Sequence, residues 1–257
     1  MGVKQQENPN HSKNESSPAD IGALRLTNDF LFKRVFGSRQ TQDVLLAFVN
    51  AVLSDADMPT AVELRVTNPE LPKDASWPRP ADLLVAAVDS SGRSFDVEVQ
   101  VAHRPPFAER SLAYWSRLYV GQVRPGNGLS KLRPVVCINI VEHTLFPRLP
   151  LAHSHFRVTE KDDRKKVLSD HLSIHFLELD KEIAAESSLG RWMRYIRGEG
   201  VMDDKEMESL LQDKAIRRAH EEYQKVIDDP EERRWAWARQ VYQMDRTGQS
   251  NSTASRR

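Results

Sequence analysis

The sequence has 257 residues, of which 39% are hydrophobic and 29% charged, and its 37 basic and 37 acidic side chains give zero formal charge. This composition is typical of a soluble globular protein and excludes a uniformly basic nucleic-acid binder, so any DNA contact must come from a local patch. A single cysteine, Cys137, excludes an internal disulfide and a thiolate-rich zinc site. No stretch approaches the roughly 18 apolar residues of a membrane span, and the N-terminus lacks a signal-peptide segment, so we expect a cytoplasmic protein without membrane contact.

Both ends of the chain are polar and low in large apolar side chains, which predicts disordered tails over residues 1–20 and 247–257. Between them we expect a domain of residues 26–180 and a helical C-terminal extension, residues 181–246, packed on or beside it. Apolar residues at helical spacing predict helices over 27–36, 41–54 and 107–123, and apolar runs predict strands over 62–66, 132–141, 155–159 and 172–179. The fold class is therefore α/β, with a mixed central sheet flanked by helices.

The segment RPADLLVAAVDSSGRSFDVEVQV, residues 79–101, predicts a β-hairpin that turns at 89–92. It carries polar groups that the apolar pattern does not require: Asp82 on one strand, then Glu98 and Gln100 on the other. Side chains alternate along a strand, so Asp96, Glu98 and Gln100 share one face and the valines between them face the core. Hard oxygen ligands of this kind hold Mg²⁺ or Mn²⁺ in sites that hydrolyse phosphodiesters.

A reversal centred on residues 90 and 91 places residues opposite one another when their numbers sum to about 181. Asp82 is then within one position of Glu98 and of Gln100. Because directly opposed residues share a face, Asp82 joins Glu98 only if a bulge shifts the pairing or if Asp82 precedes the regular strand. The alternative is that Asp82 caps a strand and that Glu98 and Gln100 lie on the solvent face of an antiparallel pair.

Two further groups of residues have side chains that could bind a metal ion or a phosphate. His171 and His175 fall on a predicted strand without a third ligand nearby, and His153 and His155 fall in a Pro-flanked loop, so all four histidines are expected to be solvent-facing. After the hairpin there are five basic residues and no acidic one from Arg110 to Arg133. Arg110, Arg117 and Arg124 recur every seven residues, and they form either a solvated helix face or a phosphate-binding row.

The spacing Asp82, fifteen residues, Glu98-Val99-Gln100 resembles the PD-(D/E)XK nuclease superfamily, and specifically its recombination-promoting nuclease (Rpn) and PD-(D/E)XK nuclease family transposase members, which have E-x-Q. Other blocks resemble that family in the same order: NDFLFKRVFG, LRPVVCINIVEHTLF, SDHLSIHFLELDK and RWMRYI. The resemblance covers residues 26–246. It implies a restriction-endonuclease-like core and a metal-dependent DNA endonuclease.

By position, the resemblance makes Asp82 and Glu98 ligands of Mg²⁺ or Mn²⁺, the Val99 carbonyl a further ligand, and Gln100 the group in place of the usual lysine. Gln100 cannot deprotonate water at neutral pH, so it would orient the water or the phosphate. Asp29 supplies either an outer carboxylate or a helix cap.

This sequence departs from the family pattern at two points: Arg79 supplies the only charge where relatives commonly carry Lys, and Asp96 stands where a hydrophobic residue or Asn is more usual. The expected partner is double-stranded DNA, with a homodimer left open as a means of cutting both strands. The alternative function is an inactive nuclease-fold module that binds DNA or a protein.

Overall fold

A computed structural model describes residues 23–67, 85–100, 106–124, 128–184 and 186–254, with side chains to Met244. Its centre is a six-stranded mixed sheet with strand order β1-β2-β3-β4-β6-β5. The strands are β1 (Leu64–Val66), β2 (Val85–Asp89), β3 (Ser94–Gln100), β4 (Val135–Val141), β5 (His153–Phe156) and β6 (Leu172–Glu178). The α-helices of the described residues are α1 (Asp29–Phe36), α2 (Gln42–Asp55), α3 (Phe107–Val120), α4 (Ser188–Gly198), α5 (Asp204–Leu210), α6 (Lys214–Asp228) and α7 (Pro230–Ala254). The α/β class and the helical C-terminal region are confirmed.

The predicted hairpin is present, and its turn is held by one buried side chain. Asp89 Oδ1 accepts hydrogen bonds from the Ser91 and Arg93 backbone N–H groups, both at 2.9 Å, and Asp89 Oδ2 accepts from Arg93 Nε at 2.6 Å. Gly92 has φ 86°, a left-handed conformation that a glycine adopts without strain. The pairs, such as Val85 with Val97, sum to 182, one more than the predicted register.

The third strand, β3, lies in the middle of the sheet, antiparallel to β2 and parallel to β4. Strand β4 is buried along its whole length between β3 and β6, as a continuous apolar run predicts. The β3–β4 connection contains α3, which packs on β4 and β6. Parallel strands need such a crossover, so the helix that follows the hairpin covers the sheet beside β3.

Two hydrophobic clusters cover the two faces of the sheet. The larger cluster joins Phe95, Val97 and Val99 of β3 to α1, α2, α4 and α6. The smaller cluster lies under α3 and is made of Phe107 with side chains of β4 and β6, among them Cys137. Cys137 is 1% exposed, as expected for a small buried hydrophobic residue.

The N-terminal helix is tied to the C-terminal helices. Asn28 caps α1 by accepting from Phe30 N at 3.0 Å, and its Nδ2 donates to the Ala236 carbonyl in α7 at 3.0 Å. Tyr223 of α6 donates its hydroxyl to the Leu24 carbonyl at 2.6 Å. Helices α4 and α6 thus share the main core with α1 and α2, while the division of the chain at residue 180 stays a prediction.

Some bounds differ from the sequence predictions. Helix α7 continues to Ala254, into the segment predicted as a disordered tail, because helix extension costs little once begun and no proline follows Pro230. Strand β5 begins at His153 instead of His155, since pairing with β6 extends the alternation backwards. Residues 1–20 lie outside the described residues. None of the described helices combines the length and the apolar character that a membrane crossing requires.

Candidate functional site

Glu98 and Gln100 lie near the carboxyl end of β3, on the same face of the sheet. Glu98 pairs in register with Asn139 of β4, and Gln100 pairs with Val141. Glu98 is only 5% exposed, whereas Gln100, the last residue of the strand, is half-buried. The central strand thus holds one carboxylate and one carboxamide side by side at the end of the sheet where the β3–β4 crossover begins.

Arg110, in the first turns of α3, contacts both of these side chains. Its Nη2 donates to Gln100 Oε1 at 2.7 Å and lies 3.5 Å from Glu98 Oε1. The guanidinium also stacks over the Phe107 ring, 5.0 Å from the ring centroid. Arg110 therefore balances the charge of Glu98 and fixes the orientation of the Gln100 carboxamide.

The alternative of a solvent-facing pair of strands is wrong for Glu98. Because β4 pairs with the other edge of β3 and α3 covers this face, the carboxylate is enclosed and not exposed on the surface. Burying a carboxylate costs free energy unless it is paired, and Arg110 provides that pairing.

Asp96 adds a second buried carboxyl group on the same face. It is 2% exposed, and its Oδ1 has no hydrogen-bond partner within the described part of the chain. Burial raises the pKa of Asp96 to about 8. The charges of Asp96 and Glu98 also add to the effect of burial in raising the pKa of the Cys137 thiol. Among the described residues, this face of β3 therefore carries two buried carboxyl groups beside one guanidinium.

Replacing Asp96 with Asn is expected to stabilise the metal-free protein at high pH. A carboxyl group with a pKa near 8 in the folded state keeps its proton between about pH 4 and pH 8, where the unfolded chain has lost it, so stability is lost as the pH rises through this range. Each pKa unit corresponds to about 1.4 kcal/mol, so the loss amounts to several kcal/mol, and a neutral Asn escapes it. Urea unfolding in EDTA at pH 4.5 and pH 8.5 measures the difference.

The matched control is Asp180→Asn, which changes an exposed aspartate just after β6. Its free energy of unfolding should follow the wild-type pH dependence. If Asp96→Asn also follows the wild type, the carboxyl group of Asp96 is not protonated by burial.

The remaining predicted ligands are only partly described. Asp82 and Arg79 lie outside the described residues. Val99 is buried, with its side chain in the main core, and its carbonyl remains a predicted ligand. Among the described side chains, no group of three or more His, Cys, Asp or Glu residues is arranged to hold a metal ion. The described residues do offer what a hard cation prefers, since Glu98 and Gln100 both present side-chain oxygens.

Asp29 is engaged elsewhere in the structure. Its carboxylate accepts from Arg239 Nε of α7, at 2.7 Å to Oδ1 and 2.9 Å to Oδ2, and the cap of α1 is Asn28 instead. Of the two predicted roles, helix capping is therefore wrong for Asp29, and the outer carboxylate stays a prediction.

The predicted row of arginines divides into separate positions. Arg110 points into the site, Arg117 is half-buried further along α3, and Arg124 is exposed beyond the end of the helix. Helix α3 stops at Val120 with Gly121 as its C-cap, so Arg124 does not continue a helical row.

Sequence reasoning missed the inner support of this site. Asn139 donates to Ser111 Oγ of α3 at 2.9 Å and to the His175 carbonyl at 3.0 Å, with Asn139 and Ser111 both buried. A polar residue within the apolar run of β4 was the signal that could have revealed it. These bonds fix α3, and with it Arg110, against the strand next to Glu98.

Comparison with known proteins gives the same family. A family model described as PD-(D/E)XK nuclease family transposase matches residues 26–252, which is most of the chain. Comparisons with curated proteins and with solved structures gave no match. With the mixed sheet, the E-x-Q strand at its centre and this match, the chain belongs to the PD-(D/E)XK nuclease family transposases.

Proposed function

We propose that the protein is a metal-dependent endodeoxyribonuclease that hydrolyses phosphodiester bonds in double-stranded DNA. The observation that carries the proposal is the buried Glu98 carboxylate beside Gln100, with Arg110 in contact with both. A strand with only a structural role would gain no stability from such a group, because a buried ion pair generally stabilises a fold no better than apolar side chains of similar size.

Asp82 and Glu98 would hold Mg²⁺ or Mn²⁺, with the Val99 carbonyl as a further ligand. Asp82 precedes Val85 by three residues. Val85 is the first residue of β2 and pairs with Val97, the neighbour of Glu98. This short separation in sequence supports a shared site for Asp82 and Glu98.

When bound, the ion would lower the pKa of a water molecule and offset negative charge on the phosphate. The protein side chains would do the rest. Gln100, oriented by Arg110, would position the water or a phosphate oxygen. Arg110 would present a guanidinium beside the phosphate, a geometry that suits bidentate contact. Asp29 would act from outside this group as an outer carboxylate. Arg79 would supply an additional cation.

The test of this proposal is cleavage of supercoiled plasmid by the purified protein. We expect nicked or linear product with Mg²⁺ or Mn²⁺ and none in EDTA. Nicked DNA that precedes linear DNA indicates one strand cut at a time, whereas direct linear product indicates a homodimer. Salt-dependent binding without cleavage under either metal would contradict the proposal and favour an inactive DNA-binding module.

Arg117 and Arg124 are proposed to contact the DNA backbone. Replacing both with Gln is expected to weaken binding equally for different sequences and to reduce the slope of log K against log salt by about one per lost phosphate contact. Fluorescence anisotropy over a salt series measures this slope.

The matched control is Arg164→Gln, in an exposed loop before β6. It removes the same charge elsewhere and should leave the slope unchanged. Equal slopes for the double variant and the wild type would exclude these arginines from the DNA interface.

A further inference from the structure

A cluster of histidines lies on the other face of the sheet from Glu98. His153 and His155 of β5 pair with Leu177 and His175 of β6, so that alternate residues of the two strands share this face. Ser173 of β6 lies between two of the rings, and Asp55, the last residue of α2, lies at the edge. These histidines are therefore not the solvent-facing residues that the sequence predicted, and His153 and His155 are on a strand and not in a loop.

The five side chains form one continuous hydrogen-bonded chain. Its distances are 2.6 Å from Asp55 Oδ2 to His153 Nδ1, 3.0 Å from His153 Nε2 to His175 Nδ1, 2.8 Å from His175 Nε2 to Ser173 Oγ, and 2.9 Å from Ser173 Oγ to His155 Nε2. A carboxylate can only accept, so His153 Nδ1–H donates to Asp55. For neutral rings, His175 Nδ1–H then donates to His153, the Ser173 hydroxyl donates to His175, and His155 Nε2–H donates to Ser173. In this arrangement each ring donates one hydrogen bond, as a neutral imidazole does.

The cluster is enclosed at its centre and open at one end. His175 is fully buried and Ser173 is 2% exposed. The His155 and His175 rings stack 4.2 Å apart with an angle of 8° between their planes. His155 and Ser173 line a cleft of about 880 Å³ beside α2, which opens a path for protons from solvent.

Burial and the neighbouring histidines oppose protonation of the inner rings. Asp55 contacts only His153, at the far end. Four charged residues face His155 from the walls of the cleft: Asp57, Arg93, Arg157 and Asp170. Arg93 is paired with Asp89. Burial, then the neighbouring His153 and Arg157, lower the pKa of His155 to about 4, and burial with both other histidines lowers the pKa of His175 well below its usual value.

We propose that Asp55, His153, His175, Ser173 and His155 form an acid-sensitive latch, which holds the edge strand β5 to the sheet at neutral pH and releases it when the histidines take up protons. The latch is independent of the proposed nuclease activity, because its residues lie on the opposite face from Glu98.

The hydrogen bonds permit one proton but resist a second. A proton on His153 Nε2 would leave the bond to Asp55 unchanged and would reverse the three bonds beyond it. A second proton must charge one of the stacked rings, with no carboxylate in contact. Because unfolded histidines titrate near 6.5 and the pKa values of His155 and His175 are lowered in the folded protein, the cost begins as the pH falls below 6.5 and grows towards 4.

Hydrogen exchange of the full-length protein at pH 7.5 and pH 5.0, corrected for intrinsic exchange rates, tests the latch. We expect the protection of the β5 amides to fall at least about tenfold at pH 5.0, the change that one pKa unit of linkage produces. The amides of α4, which packs in the main core, should show no comparable loss. Unchanged β5 protection at pH 5.0 overturns the proposal.

The variant His155→Gln should remove most of this pH dependence, and His175→Gln should do so if it folds. His220→Gln is the control, since His220 pairs with Glu199 far from the cluster, and it should behave as the wild type does. If His175→Gln fails to fold, ¹⁵N shifts of the wild-type imidazoles decide the matter. Neutral rings with the proton on Nδ1 of His153 and His175 are expected at pH 7.5, and any other tautomer pattern contradicts the latch.

Discussion

Replacing Glu98 with Gln is expected to abolish DNA cleavage while leaving the fold intact. Glu98 is a predicted metal ligand in the described part of the chain. Its buried carboxylate lies beside both Gln100 and Arg110. Metal ions contribute several kcal/mol of charge stabilisation in such reactions, so loss of a ligand should reduce the cleavage rate by roughly 100-fold or more. Plasmid nicking over a range of Mg²⁺ and Mn²⁺ concentrations measures the effect.

Glu63→Gln is the matched control, because Glu63 is an exposed carboxylate just before β1. It should cut DNA at the wild-type rate. Asp82→Asn should resemble Glu98→Gln if both side chains bind the same ion, and thermal unfolding shows whether each variant is folded. Full cleavage by a folded Glu98→Gln protein would remove Glu98 from the mechanism.

The local parts of the fold could be predicted because local sequence determines them. Asn28 before an apolar helical stripe marked the start of α1, and Gly92 after Asp89 marked the hairpin turn. The run rich in Val and Ile that forms β4 indicated a central strand, as the structure confirms. The alternation that put Glu98 and Gln100 on one face needed only the period of two in a strand.

The contacts across the sequence could not be predicted in the same way. Arg110 fell in a basic stretch that predicted either a solvated helix face or phosphate contact, and neither reading showed that α3, packed on β4 and β6, turns it towards Glu98. The contact between Asp55 and His153 joins residues far apart in the chain, and no local pattern places them together. The spacing of histidines along one strand therefore did not reveal this cluster, which residues of β5, β6 and α2 form together.

Replacing Trp192 with Ala is expected to be the most destabilising single change in the C-terminal half. The indole of this α4 residue is 1% exposed, with ring centroids 5.7 Å from Phe36 and 5.8 Å from Phe48. Removing a fully buried large aromatic side chain costs about 3–5 kcal/mol. Because its partners are on α1 and α2, the whole molecule should unfold in one transition at lower urea, as followed by circular dichroism.

Trp235→Ala serves as the control, since this tryptophan of α7 is 61% exposed. Its midpoint should stay near that of the wild type, because an exposed side chain away from special contacts contributes within about 0.5 kcal/mol. A Trp192→Ala protein that instead loses only the helices after residue 180, in a separate early transition, would indicate an independent C-terminal domain.

The bonds from Asn28 to Ala236 and from Tyr223 to Leu24 bear on how the protein is made. A ribosome releases the N-terminal helix long before it releases its partners, so α1 has no α6 or α7 to pack against during most of synthesis. Contacts of such long sequence separation also form slowly, since the loop between them must be closed first. A nascent chain should therefore lack its completed core until α6 and α7 have emerged from the ribosome. Assembly of the core then follows the synthesis of these two helices.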